Sequence, residues 1–246
     1  MSRNVFENFD DETILSTLKM GKVAKSYQIP WSSNYTFLVE LDTGSQANCK
    51  AIYKPKNGEK PLVDFPSGTL YKREYAAFLL SRYLGWPSVP ITVIREGPFG
   101  IGSMQIYIES NPNITYFDLN LDNSNLFHQF AVFDLLANNA DRKAGHCLLG
   151  SDGEIWSIDH GLTFHQDFKL RTVMMEFWGQ NINSDLIVGL QRLVSDLDNP
   201  SDLQEQLFRL LNQAEIEMLR KRTESIIEKP VFPNLDINRN IPWPLE

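Results

Sequence analysis

Cysteine is nearly absent from this chain of 246 residues: only Cys49 and Cys147 occur, far apart and without metal-ligand spacing. That excludes a disulfide-stapled scaffold, and the pair reads as two buried thiols in a reducing cytoplasm. Positive charge is also in short supply. Twenty-three Lys and Arg face 31 Asp and Glu, a net charge of −8, which argues against a nucleic acid held through its phosphates. No apolar run approaches the roughly 18 residues that a membrane span needs. Met1 to Glu7 have neither the basic start nor the apolar stretch of a secretory leader, so the expected location is cytoplasmic. Internal repeats and low-complexity tracts are missing as well. What is left, 42% hydrophobic and 22% charged, is the composition of a globular protein with room for one large domain or two lobes.

The periodicity changes along the chain. Residues 11–20 predict a short helix with an acidic start, closed by Gly21. Tyr35–Leu41 and Cys49–Lys54 predict two strands joined through the Asp42-Thr43-Gly44 turn. A loop rich in Pro and Gly follows, then a helix over Thr69–Leu84. Val89–Arg95 and Ser103–Glu109 read as strands around a Gly97-Pro98-Phe99-Gly100 turn. Beyond them the pattern is helical at Asn125–Asn138, Ser184–Leu197, Ser201–Leu211 and Ala214–Glu228. Pro230, Pro233, Pro242 and Pro244 predict an extended tail. The expected fold is α+β and two-lobed. A β-rich N-terminal lobe with one main helix (residues 1–109) would phosphate-bind a nucleotide, and a mostly helical C-terminal lobe (110–246) would carry the chemistry, with a cleft between them.

The chemistry concentrates in Asn138-Asn139-Ala140-Asp141-Arg142-Lys143-Ala144-Gly145-His146 and in Ser157-Ile158-Asp159-His160-Gly161, separated by a hairpin-like Cys147–Trp156. An Asp five residues ahead of a metal ligand, then a hairpin, then Asp-x-Gly, is the layout of a kinase phosphoryl-transfer site. Asp141 would accept or orient the proton of an acceptor hydroxyl. Asp159 would ligate the metal, with Gly161 letting the chain turn away, and His146 stands in the second ligand slot. Asn138 or Asn139 offers an alternative oxygen. A neutral imidazole there shifts the preference somewhat from Mg²⁺ toward Mn²⁺. Arg142 and Lys143 would neutralise transferred phosphate or an anionic substrate. Lys54, at the end of Ala51-Ile52-Tyr53-Lys54, would reach nucleotide phosphates, and Glu74 on the following helix would hold it by an ion pair. The neighbouring Lys72 and Arg73 read as surface or phosphate-facing. No G-x-G-x-x-G precedes Lys54; Ser32, Ser33 and Asn34 supply hydroxyl, amide and backbone donors instead. The connection between lobes, around Gln105, Tyr107 and Ile108 to Glu109, would take an adenine edge, with Ile108 as an apolar wall. His128, His160 and His165 show no zinc spacing.

Ala140-Asp141-Arg142-Lys143 with His146, and Ile158-Asp159-His160-Gly161, resemble the D-R-x-x-x-N and I-D-F-G elements of phosphatidylinositol 3-/4-kinase-like catalytic domains. Tyr53-Lys54-Pro55, Gly58-Glu59, Asp64-Phe65-Pro66, Gly68-Thr69-Leu70, Arg73-Glu74 and Leu84-Gly85-Trp86-Pro87 resemble a bacterial group called SCO1664-like proteins, which carry a phosphatidylinositol kinase label by homology. The resemblance spans residues 20–230. It implies a protein-kinase-like fold, ATP, Mg²⁺ or Mn²⁺, and a hydroxyl acceptor on a protein, a small molecule or, third, a lipid. By motif position it implies Lys54 as the phosphate lysine, Glu74 as its partner, Asp141 as the catalytic residue, and His146 and Asp159 as metal ligands. The chain departs from the pattern at His146, where Asn is usual, and in the missing glycines. Two further readings stay open on the same scaffold: a nucleotide-binding module without turnover, and nucleotidyl transfer.

Overall fold

In the computed structural model of the protein, residues 10–30, 32, 34–43 and 49–245 are described. Helix α1 (Asp11–Met20) begins where the Asp10 carboxylate accepts the Thr13 N–H at 2.8 Å, and it stops at Gly21. Strands β1 (Lys22–Gln28), β2 (Phe37–Asp42), β3 (Cys49–Pro55), β4 (Thr92–Gly97) and β5 (Gly100–Ile106) form one antiparallel sheet in the order β1-β2-β3-β5-β4. Alternation along β3 sorts its side chains. Cys49, Ala51 and Tyr53 are buried in the core, while Ile52 and Lys54 line a cleft on the other face.

Helix α2 (Leu70–Leu84) joins the two halves of the molecule. Its Phe78 enters the core of the sheet with Val39, Tyr53 and Met104. Its Ala76, Ala77, Leu80 and Leu84 enter the core of the helical lobe instead. The helix ends at Gly85, whose φ of 81° gives the left-handed cap that glycine adopts without a Cβ penalty. The helical lobe comprises α3 (Tyr116–Leu119), α4 (Ser124–Ala137), α5 (Ser184–Asp198), α6 (Asp202–Leu210) and α7 (Gln213–Glu228), with the hairpin β6 (Cys147–Leu149) and β7 (Ile155–Ser157). Helix α4 is apolar around most of its circumference, so it is buried rather than amphipathic. Phe127, Phe130, Phe133 and Leu136 form the centre of a core shared with Leu190, Leu193 and Leu219. Burying each such side chain contributes about 1.5–3 kcal/mol.

The two-lobed α+β arrangement read from the sequence is present, with shifted boundaries. Strand β4 starts at Thr92 rather than Val89 because Pro90 has no N–H for a ladder; Val89 and Ile91 are buried as irregular chain. Strand β5 starts at Gly100, where the Gly97–Gly100 pair closes the turn, and ends at Ile106. The four-residue α3 had no sequence signal. After α7 the chain doubles back over the helical lobe: the Thr172 N–H bonds the Asn240 carbonyl and the Ala144 N–H bonds the Leu245 carbonyl, each at 2.9 Å. Both cysteines are free and buried, and burial pushes each thiol up to about 12. Among the described residues no helix is long and apolar enough to cross a membrane.

Gly102 pairs with Pro55 on one side and Arg95 on the other, and a Cβ there would lie 2.7 Å from Pro55 Cα. Gly102→Ala is expected to lower stability by roughly 1–3 kcal/mol, read as a reduced urea midpoint at unchanged slope.

Candidate active site

The cleft between sheet and helical lobe has a volume of about 460 Å³, the size of a small-molecule site. Ile29, Ile52, Ile108, Leu148 and Ile158 give it apolar walls; Lys54, Glu74, Asp141 and Asp159 give it charge. The charged residues come from four elements. Lys54 is the penultimate residue of β3, Glu74 lies in α2, Asp141 follows α4, and Asp159 follows β7.

Lys54 Nζ lies between two carboxylates. It bonds Glu74 Oε1 and Asp159 Oδ1, the latter at 2.9 Å. Burial alone lowers the lysine pKa, but Asp159 and Glu74 outweigh it and hold the ammonium raised, so it is charged. Burial pushes Glu74 up against the pull of Lys54, while Lys54 and His146 together draw Asp159 well below the usual carboxylate range, outweighing the desolvation of this half-exposed group. Asp159 has a 46% exposed side chain and a φ of 61°, the left-handed region that a short polar residue tolerates. The sequence reading gave the turn to Gly161; the structure puts the left-handed residue at Asp159.

His146 Nε2 lies 3.3 Å from Asp159 Oδ2, and its Nδ1 lies 3.4 Å from the Lys143 N–H. With Nδ1 accepting, the proton sits on Nε2 and points at Asp159. Burial, with Arg142, Lys143 and Lys54 nearby and only Asp159 opposing, lowers the imidazole to about 4, so it is neutral. Asp141 pairs with Lys143 at 3.3 Å, and burial raises its pKa, which suits a proton acceptor. Among the described residues no three His, Cys, Asp or Glu side chains form a ready-made metal cage.

Arg142 is a correction. Its side chain is 0% exposed and faces inward, not into the cleft. It bonds both Asp134 oxygens at 2.7 and 2.9 Å, the His146 and Ile158 carbonyls at 3.0 Å each, and Ser157 Oγ and His160 Nε2 at 2.8 and 3.0 Å. It has no donor left for a phosphate. Arg73 is likewise 1% exposed and paired with Glu215, so it is neither surface nor phosphate-facing. Asn138 and Asn139 do not supply a metal oxygen: Asn138 Oδ1 takes the Lys169 N–H and Asn139 Oδ1 takes the Asp141 N–H. Ser32 and Asn34 line the cleft, but the Ser32 hydroxyl bonds Thr36 Oγ1 and Asn34 Oδ1 accepts the Lys60 N–H. Ser33 lies outside the described residues. Gln105, Tyr107 and Ile108 line the cleft. The Tyr107 N–H bonds the Lys50 carbonyl, and the Gln105 side-chain amide donates one of its two hydrogens to Thr92 Oγ1.

Glu59 was missed. It lines the cleft, and its Oε1 accepts the Tyr71 N–H at the start of α2 while its buried Oε2 has no partner. Its place in a Pro- and Gly-rich loop gave no periodic signal, although the Gly58-Glu59 pair was visible.

No family profile matches the sequence. The chain is 37% identical to the protein Rv2133c of Mycobacterium tuberculosis, over 96% of this chain and 95% of that protein. It is 24% identical to phosphatidylinositol 4-kinase gamma 2 of Arabidopsis thaliana over 79% of the chain, and spans 44% of the plant protein's length. Of solved structures, hydra Fam20 with sugar superposes with a TM-score of 0.58 at 14% identity, covering 90% of this chain and 89% of that one. The Golgi casein kinase with Mn/ADP bound superposes at 0.51 and 14% identity, covering 89% and 76%. At these identities the likeness shows the fold, which is protein-kinase-like.

Asp134→Ala strands the buried Arg142 charge and is expected to cost about 3–5 kcal/mol, measured by urea unfolding. A cost below about 1 kcal/mol would mean that Arg142 finds water or another partner.

Proposed function

The chain belongs to the family of the mycobacterial protein Rv2133c, and from its kinase-like fold and cleft we propose that it is an ATP-dependent phosphotransferase acting on a hydroxyl acceptor. The observation that carries this reading is the Lys54 ammonium held between Glu74 and Asp159 at the wall of a cleft that also presents Asp141. In the proposal Ile52, Ile108, Leu148 and Ile158 enclose the base. Lys54 contacts the phosphates, and Glu74 fixes Lys54. Ser32 and Asn34, on the wall of the cleft, border the phosphates. Asp141 takes the proton of the acceptor hydroxyl as the new P–O bond forms and the bond from the γ-phosphorus to the β-phosphate oxygen breaks.

The donor set fits a divalent ion that arrives with the nucleotide. Lys54, Lys143, Glu74, Asp141 and Asp159 leave an anionic remainder, and hard cations bind through one or two protein ligands plus phosphate oxygens. Asp159 would be the anionic ligand, and His146 would be a neutral one through Nε2 if its proton were carried on Nδ1. Mg²⁺ or Mn²⁺ bound there would neutralise charge on the phosphates. Mn/ADP in the Golgi casein kinase is in keeping with this use of nucleotide and metal. The acceptor is a protein or small-molecule hydroxyl, with a phosphatidylinositol headgroup ranked third because the chain carries a net charge of −8. The second reading, nucleotide binding without turnover, draws on the 3.3 Å approach of His146 Nε2 to Asp159 Oδ2, which occupies both groups with each other.

With ATP at 100 times its dissociation constant and Mg²⁺ or Mn²⁺ present, the melting temperature is expected to rise by about 5–10 °C. Asp159→Asn should abolish that shift and leave the fold intact; an unchanged shift removes Asp159 from the metal site. Asp141→Asn should keep the shift while turnover drops by about 10²–10⁴, and retained turnover refutes its role. In His146→Asn, magnesium-supported activity should be preserved or improved.

A further inference from the structure

The helix that carries Glu74 is bolted to the helical lobe by its preceding residue. Arg73 Nη2 bonds Glu215 Oε1 in the first turn of α7, across 142 positions of sequence. Arg73 Nη1 donates to the Thr163 carbonyl at 2.6 Å, and its guanidinium lies over the Phe65 ring at 5.0 Å. Glu215 Oε2 in turn accepts the Asn212 N–H at 2.9 Å. Neither Arg73 nor Glu215 lines the cleft.

The neighbouring contacts give the pair a purpose. Glu74 Oε2 accepts the His160 N–H at 3.0 Å, and the Thr163 hydroxyl donates to the His160 carbonyl at 2.7 Å. Consecutive residues of α2 thus grip both ends of the segment that follows Asp159. Glu74 holds the N–H at its start, and Arg73 holds the carbonyl at its end. Apolar contacts such as those of Ala77 and Leu80 resist separation but tolerate a small slide or rotation of the helix. Charged hydrogen bonds of fixed geometry do not. Nor is a buried ion pair the cheapest route to stability, since apolar residues of similar volume often serve as well.

We infer that Arg73 and Glu215 are positioning residues that fix α2 against α7 and so set the spacing of Lys54, Glu74 and Asp159 without touching nucleotide. The inference rests on the phosphotransferase reading of the cleft, but its amide-exchange test does not.

Glu215→Gln keeps the side-chain size and an oxygen for the Asn212 N–H while removing the charge. Arg73→Lys keeps the charge but loses the fork. Glu217→Gln, two residues further along the exposed face of α7, is the control. Hydrogen exchange at the His160 amide and calorimetric binding of Mn·ATP are measured on the full chain. Both test variants are expected to fold, to speed His160 exchange roughly tenfold or more, and to weaken Mn·ATP binding roughly tenfold, with Glu217→Gln like wild type. Lowered melting temperatures with unchanged His160 exchange and unchanged affinity would reduce the pair to a structural role and overturn the inference. If wild type binds no Mn·ATP, the phosphotransferase reading fails, and His160 exchange alone then decides the positioning role. Should Glu215→Gln not fold, Arg73→Lys carries the same test.

Discussion

A single buried guanidinium holds together the segments that carry Asp141 and Asp159. Arg142 reaches α4 through Asp134, its own loop through the His146 carbonyl, and the end of the hairpin through Ser157 and the Ile158 carbonyl. Removing such a cation from water is costly, and only the bidentate carboxylate together with the ring of acceptors makes the arrangement sustainable. The residue before it, Asp141, and the residue after Ile158, Asp159, are two of the acids that line the cleft. Their relative placement follows from one side chain that neither of them touches.

Across the cleft, α2 plays the corresponding part for the sheet lobe. It contributes apolar residues to both cores, so the two lobes share a helix rather than merely abutting. Lys54 comes from the sheet, Glu74 from the shared helix and Asp159 from the helical lobe, and the ammonium is the point where all three meet. The site is electrostatically uneven: one lysine against two acids, beside a histidine kept neutral by burial. An arrangement of this kind is comfortable with an added cation and with anionic oxygens approaching together.

Much of the fold was legible because its signals are local. The strand at Cys49–Lys54, the helix at Asn125–Asn138 and the end of the preceding helix at Leu84 each depend on a handful of neighbours. The same locality explains the misplaced start of β4, where apolar residues on either side of Pro90 mimic a strand that proline's missing N–H does not support. The motif residues Lys54, Glu74, Asp141, His146 and Asp159 stood out by residue type and spacing. The roles of Arg142 and Arg73 were not legible. An arginine in a sequence reads as exposed unless its counter-charge is known, and Asp134 lies on the preceding helix while Glu215 lies far down the chain. Nor does any pattern indicate that Ser32 and Asn34 turn their side chains to their own loop.

The long reach of these contacts bears on how the molecule forms. The Lys54–Asp159 bond closes 105 positions of chain and the Arg73–Glu215 bond closes 142. Closing loops of that length is slow, although each doubling adds only about 0.6 kcal/mol of entropy cost. Local hairpins and helices close far shorter loops than these two contacts do. A chain that has its strands and helices but not yet this closure has no Lys54 ammonium between Glu74 and Asp159, so that charged cluster exists only once the two lobes have docked.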